Sequence, residues 1–62
     1  MRLLDFERHL RKQGCEKERE GGKHTIYHNP KNNVNTSVPR HKEIRLSTVK
    51  AICKQLGILA PM

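Results

Sequence analysis

The chain has no tryptophan, one tyrosine and one phenylalanine, and 34% of its 62 residues are hydrophobic. So little large apolar surface excludes a thick core. A chain of this length buries only about 60% of the surface its unfolded form exposes, so we expect one small domain over residues 1–62. Burial and chain entropy nearly cancel in such a domain, and a disulfide, a metal or a partner protein is the usual remedy. Cysteine is scarce as well. Cys15 and Cys53 form no CxxC pair, and each falls where an apolar residue suits, which points to two reduced, half-buried thiols rather than a zinc knuckle or a redox motif. No stretch approaches the length of a membrane span, and charges interrupt the first residues, so a soluble cytoplasmic protein without membrane contact is expected. GxxxxGK, GxSxG and a paired carboxylate acid and base are also missing, which removes the common phosphate-loop, hydrolase and glycosidase readings.

What is abundant is positive charge, and it is uneven. Thirteen Lys and Arg stand against six Asp and Glu, for a net +7. Residues 1–20 hold six basic and five acidic residues, whereas residues 21–62 hold seven basic and one acidic. A field of that kind favours a polyanion, most often nucleic acid, or an acidic protein.

Glycine and proline punctuate the chain. Leu3, Phe6 and Leu10 recur at i, i+3, i+7 and predict an amphipathic helix over Leu3–Gln13, stopped by Gly14. Cys15 to Glu20 alternates acid and base, either a solvated edge strand with cross-strand ion pairs or a loop. Lys23 to His28 carries the strand formers Thr25, Ile26 and Tyr27. A turn cluster at Asn29–Asn33 follows, and Val34, Thr36 and Val38 then resume at period two up to Pro39, so a hairpin is expected. Ser47 is placed to cap a second helix in which Val49, Ile52, Cys53 and Leu56 fall at i, i+3, i+4, i+7, with Gly57 as terminator. Helix, two or three antiparallel strands, helix is an α+β order whose compact solution is a two-layer sandwich, with both helices on one sheet face.

Four histidines are candidates for chemistry. His24 follows Gly21-Gly22-Lys23, where two glycines allow a positive φ or a bulge and let a backbone or a phosphate come close. A neutral imidazole is suited to take a proton from a ribose 2′-OH near neutral pH; a half-exposed strand residue with no task is the other reading. His24, Ile26 and His28 share a nominal strand face, so if Ile26 enters the core His24 should follow it, a conflict that periodicity leaves open. His24 and His28 lie about 13 Å apart on a strand, too far to share a metal. His41 belongs to a compact basic cluster with Arg40, Lys42 and Arg45 between the last strand and the second helix, a loop position suited to binding. His9 has no companion motif and reads as a surface residue.

Taken together, Gly22-Lys23-His24-Thr25-Ile26-Tyr27, Val38-Pro39-Arg40-His41 and Lys54-Gln55-Leu56-Gly57-Ile58, in this order and spacing, resemble the HicA family of toxin–antitoxin mRNA interferases over about Leu3 to Ile58. The resemblance implies a double-stranded-RNA-binding-domain-like fold, helix–three-stranded antiparallel sheet–helix. It also implies endoribonuclease activity with His24 as the single catalytic histidine, RNA as substrate, no metal or other cofactor, and a HicB-type antitoxin as hetero-oligomeric partner. Gly22, Lys23, Arg40, His41 and Lys42 become the expected RNA or antitoxin contacts. Lys23 and Thr25 stand where the family has a serine and a second histidine. The alternative is a double-stranded-RNA-binding module of the same layout that does not cut.

Overall fold

The computed structural model describes residues 1–61. Its elements follow the chain as α1 (Leu3–Lys12), β1 (Glu16–Glu20), β2 (His24–Asn29), β3 (Val34–Pro39) and α2 (Leu46–Leu56). The strands form one antiparallel sheet in the order β1-β2-β3, giving the expected α+β architecture with three strands.

Helix α1 turns Phe6 and Leu10 fully inward. Gly14, at φ +91°, adopts a backbone that residues with a Cβ disfavour, and the Cys15 amide then bonds back to the Leu10 carbonyl at 2.9 Å. Helix α2 buries all four residues of its apolar stripe, Val49, Ile52, Cys53 and Leu56. It ends at Gly57 in the left-handed region, where the Ile58 amide reaches the Cys53 carbonyl at 3.0 Å, a Schellman closure. Space enforces glycine there too, since a Cβ would stand 2.8 Å from Asn32 Nδ2. Ser47 is not the cap that its position suggested. The helix starts at Leu46 behind Arg45 with no side-chain cap, which leaves Ser47 in the first turn.

Strand β1 exists, all five residues are exposed, and its register slips between Lys17 and Arg19. Its ion pairs are not cross-strand. Lys17 reaches Glu20 along the same strand at 2.8 Å and Glu7 on α1 at 3.7 Å. The hydrogen bond to Lys17 holds the Glu20 carboxyl below its usual range, but an exposed pair of this kind adds little stability.

The core settles the question of strand faces. Thr25, Tyr27 and Asn29 are buried, while His24 is exposed and Ile26 and His28 are half-buried. Ile26 therefore does not enter the core; Tyr27 does, packed in one cluster with Phe6, Leu10, Val38, Val49, Ile52, Cys53 and Leu56 from both helices and β3. Both helices cover that side, and the opposite face of β2 carries His24, Ile26 and His28.

Two buried polar residues on the inner face have assigned partners. Asn29 Nδ2 donates to the Leu56 carbonyl at 2.7 Å and Asn32 Nδ2 to the same oxygen at 2.8 Å, satisfying a carbonyl that the end of α2 would otherwise leave unpaired. The β2–β3 turn is thereby fastened to the C-terminus of α2. The Tyr27 hydroxyl donates to Glu7 Oε2 at 2.5 Å.

Candidate functional site

His24 opens β2 and pairs with Pro39, the last residue of β3. It lies on the open side of the sheet, exposed, and its imidazole makes no hydrogen bond with the described residues. Backbone bonds hold the chain around it: Gly21 N–H donates to the His24 carbonyl at 2.7 Å, and Arg40 N–H donates to the Lys23 carbonyl at 3.1 Å. Arg40 Nη1 also reaches the Gly21 carbonyl at 3.2 Å. These bonds bring Gly21, Gly22, Lys23, His24 and Arg40 into one basic corner where the starts of β2 and of the loop after β3 meet.

The two glycines differ in a way their sequence hides. Neither adopts a positive φ. A Cβ on Gly21 would come within 3.0 Å of the His24 carbonyl, whereas one on Gly22 would meet nothing within 4 Å. The close approach of the chain to itself leaves little room for a Cβ at Gly21, and the space beside Gly22 is open to solvent.

From that corner an open groove runs between β3 and α2, lined by His24, Ser37, Pro39, Ser47, Thr48 and Gln55 among others. Ser47 and Thr48 belong to the first turn of α2, where amides lack intrahelical acceptors and the helix dipole is positive, and no acidic residue occupies that turn. Lys42 goes elsewhere: with Arg2, Leu3, Leu4, Arg40 and Glu43 it lines a second groove at the start of α1. That loop is anchored because the Leu3 amide donates to the Lys42 carbonyl at 2.9 Å and the Ile44 amide to the Met1 carbonyl at 2.8 Å. His41 is exposed and draws no side-chain bond from the described residues. Of the residues singled out in the sequence, Gly22, Lys23, His24 and Arg40 therefore share one corner, Lys42 adjoins it through Arg40, and no hydrogen bond among the described residues joins His41 to His24.

The remaining histidines are engaged. His28 Nδ1 bonds Asn35 Oδ1, and Asn35 Nδ2 donates to Glu18 Oε2 at 3.0 Å, a chain across all three strands. It gives the β1 half of the open face a carboxylate, in contrast to the cations around His24. His9, expected at the surface, is half-buried and bonds the Leu59 carbonyl through Nε2 at 2.7 Å, securing the segment after α2. Both cysteines are free and buried, and burial pushes each thiol above its usual pKa, which makes them poor nucleophiles. Among the described residues, no three His, Cys, Asp or Glu side chains gather as a metal would require.

Sequence reasoning missed Ser47, Thr48 and Gln55. Serine as a helix cap was the reading nearest to hand, and only the packing of α2 beside β3 turns that helix face toward His24.

With that geometry in place, comparison supplies the family. The family model described as the HicA toxin of bacterial toxin–antitoxin matches residues 5–58, and the chain belongs to that family. No curated protein and no solved structure matches the chain.

Proposed function

We propose that this HicA-family toxin is an endoribonuclease that cuts mRNA in the cytoplasm, with His24 as general acid and base and without a metal, and that a HicB-type antitoxin inhibits it. The observation that carries the reading is the state of His24: an exposed imidazole with no hydrogen-bond partner among the described residues, standing on the open sheet face at the mouth of a groove and flanked by Lys23 and Arg40.

The chemistry follows from those groups. His24 takes the proton of a ribose 2′-OH, the 2′ oxygen attacks the adjacent phosphorus, and the bond from phosphorus to the 5′ oxygen of the next nucleotide breaks. The imidazolium returns a proton to that departing oxygen, leaving a cyclic 2′,3′-phosphate. Positioned proton transfer of this kind contributes roughly 10² to 10⁴-fold. Lys23 and Arg40 offset the charge that develops on the phosphorane, and the open space beside Gly22 admits the phosphate. Arg40, His41 and Lys42 extend the positive surface for the RNA backbone or for an acidic antitoxin.

The test compares wild type with His24→Ala on a labelled single-stranded RNA, before and after exhaustive chelation. We expect at least a 10²-fold loss of cleavage rate in His24→Ala with an unchanged melting temperature, and no effect of chelation on the wild type. Cleavage by His24→Ala at the wild-type rate would refute the role of His24, and loss of wild-type activity on chelation would refute the metal-free route.

A further inference from the structure

The two margins of the sheet are built differently. Along β1 every residue is charged and exposed, and a register slip interrupts the strand; charges and bulges of this kind keep an edge from pairing with another chain. Along β3, Val34–Pro39 holds no charged residue at all, so that margin lacks the same protection.

Its backbone polarity can be read from the register. Arg40 N–H bonds the Lys23 carbonyl. In the observed pairing of β2 with β3, that makes Thr25–Val38 and Tyr27–Thr36 the mutually bonded pairs. Asn35 and Ser37 then turn their N–H and C=O groups outward, and both residues are exposed. Below this margin lies α2, whose Ser47, Thr48, Ala51 and Gln55 line the groove beside Thr36 and Ser37. Three of these four side chains are short. A strand added at the usual spacing of about 4.8 Å would rest above them, extending the sheet over a helix that is already there.

We propose that the outer edge of β3 accepts an extended, acidic segment of the antitoxin as a fourth strand. The proposal rests on the reading of the chain as an antitoxin-controlled toxin and adds where and how the partner docks. Charge selects the occupant. Arg40 stands at one end of the edge and Lys31 at the other, and exposed Lys50 and Lys54 follow round α2. A second copy of this chain would bring another +7 against the same surface, whereas an acidic strand is attracted to it. Main-chain bonding supplies the affinity in such additions, and side chains supply the specificity. Because the groove also contains His24, a strand seated there closes one side of the approach to that imidazole.

Ser37→Pro tests the proposal directly. It deletes an outward amide without touching the ladder to β2, an edge position where proline is tolerated, while Ser37→Ala removes the hydroxyl and keeps the amide. The probe is a purified HicB-type antitoxin encoded beside this chain's gene, sought there first, titrated by calorimetry. We expect Ser37→Ala to bind within about twofold of wild type and Ser37→Pro to bind at least about tenfold more weakly, roughly the loss of one main-chain bond. Amide exchange of wild type, which needs no variant to fold, should show Asn35 and Ser37 gaining protection in the complex. Equal binding by Ser37→Pro, or unchanged exchange at both amides, overturns the edge while leaving the antitoxin reading intact. A wild type that binds no antitoxin overturns both. A dimer of the isolated chain that Ser37→Pro dissociates gives the edge to a second copy, against this proposal.

Discussion

The two faces of β2 are made from six consecutive residues and do opposite work. The inner face carries Thr25, Tyr27 and Asn29, all buried and the last two bonded to the helices through Glu7 and Leu56. The outer face carries His24, Ile26 and His28, where the only apolar member is half-buried and the first imidazole has no hydrogen-bond partner among the described residues. Hydrophobicity alone would have turned the strand the other way, since Ile26 is the most apolar of the six. What decides the matter is volume and partners. Tyr27 is the largest fully buried side chain and fills space between two helices that offer few large residues of their own. Its hydroxyl and the Asn29 amide find acceptors there, so burying them costs little. The site is thus produced by a choice made in the core: once Tyr27 goes in, His24 must come out.

The sharpest way to break this contrast is to truncate one residue on each face. Tyr27→Ala should lose about 3–5 kcal/mol, as expected for a buried aromatic, a large fraction of the stability of so small a domain. Ile26→Ala, one residue earlier on the opposite face, should lose about 1 kcal/mol or less. Urea unfolding followed by circular dichroism measures both. Equal losses would mean that Ile26 is a core residue and that the face assignment is reversed.

How far the sequence discloses such an arrangement depends on the element. The buried stripe of helix α2 was legible though its cap was not, because Val49, Ile52, Cys53 and Leu56 repeat at helical spacing and all four are buried. Helix α1 and the hairpin followed from Phe6, Leu10, Gly14 and the turn at Asn29–Asn33. The face of β2 was not legible. In His-Thr-Ile-Tyr-His-Asn the two apolar residues are adjacent, so either frame puts one of them inside, and the inner frame also buries Thr25 and Asn29, which composition assigns to solvent. Asn29 is intelligible only once the C-terminal carbonyl of α2 is known to lie beside it. His24 drew attention through the glycines before it, yet its lack of a hydrogen-bond partner among the described residues is a property of the assembled sheet.

Asn29→Ala comes next in size. The substitution leaves the Leu56 carbonyl with Asn32 alone and removes the acceptor of the Lys31 amide, so we expect a loss of about 1–3 kcal/mol. Amide exchange should show the effect spreading from the β2–β3 turn to the last turn of α2. A loss confined to the turn would mean that the clasp to α2 contributes nothing.

The smallest effect concerns the hydroxyl of Tyr27. Burial first, and the Glu7 carboxylate second, push its pKa above the ordinary 10.0. In the unfolded chain the phenol loses its proton near that value, whereas the folded protein retains it. Above pH 10 the folded state therefore binds more protons, and stability must fall as pH rises further. Below that pH the contribution is fully present. Lysines lose charge in the same range, and Lys17, held by Glu20, has a raised pKa of its own, so the comparison has to be with Tyr27→Phe. That variant should be less stable than wild type by about 1 kcal/mol at neutral pH, the net worth of one hydrogen bond, and the difference should shrink and then reverse as pH climbs past 10. Because Tyr27 is the only tyrosine, the ultraviolet absorbance of tyrosinate reports the same event, appearing in wild type together with unfolding rather than before it. Parallel alkaline profiles for the two proteins would show that the phenol ionises freely in the fold, and that the inner face of β2 is wetter than its neighbours imply.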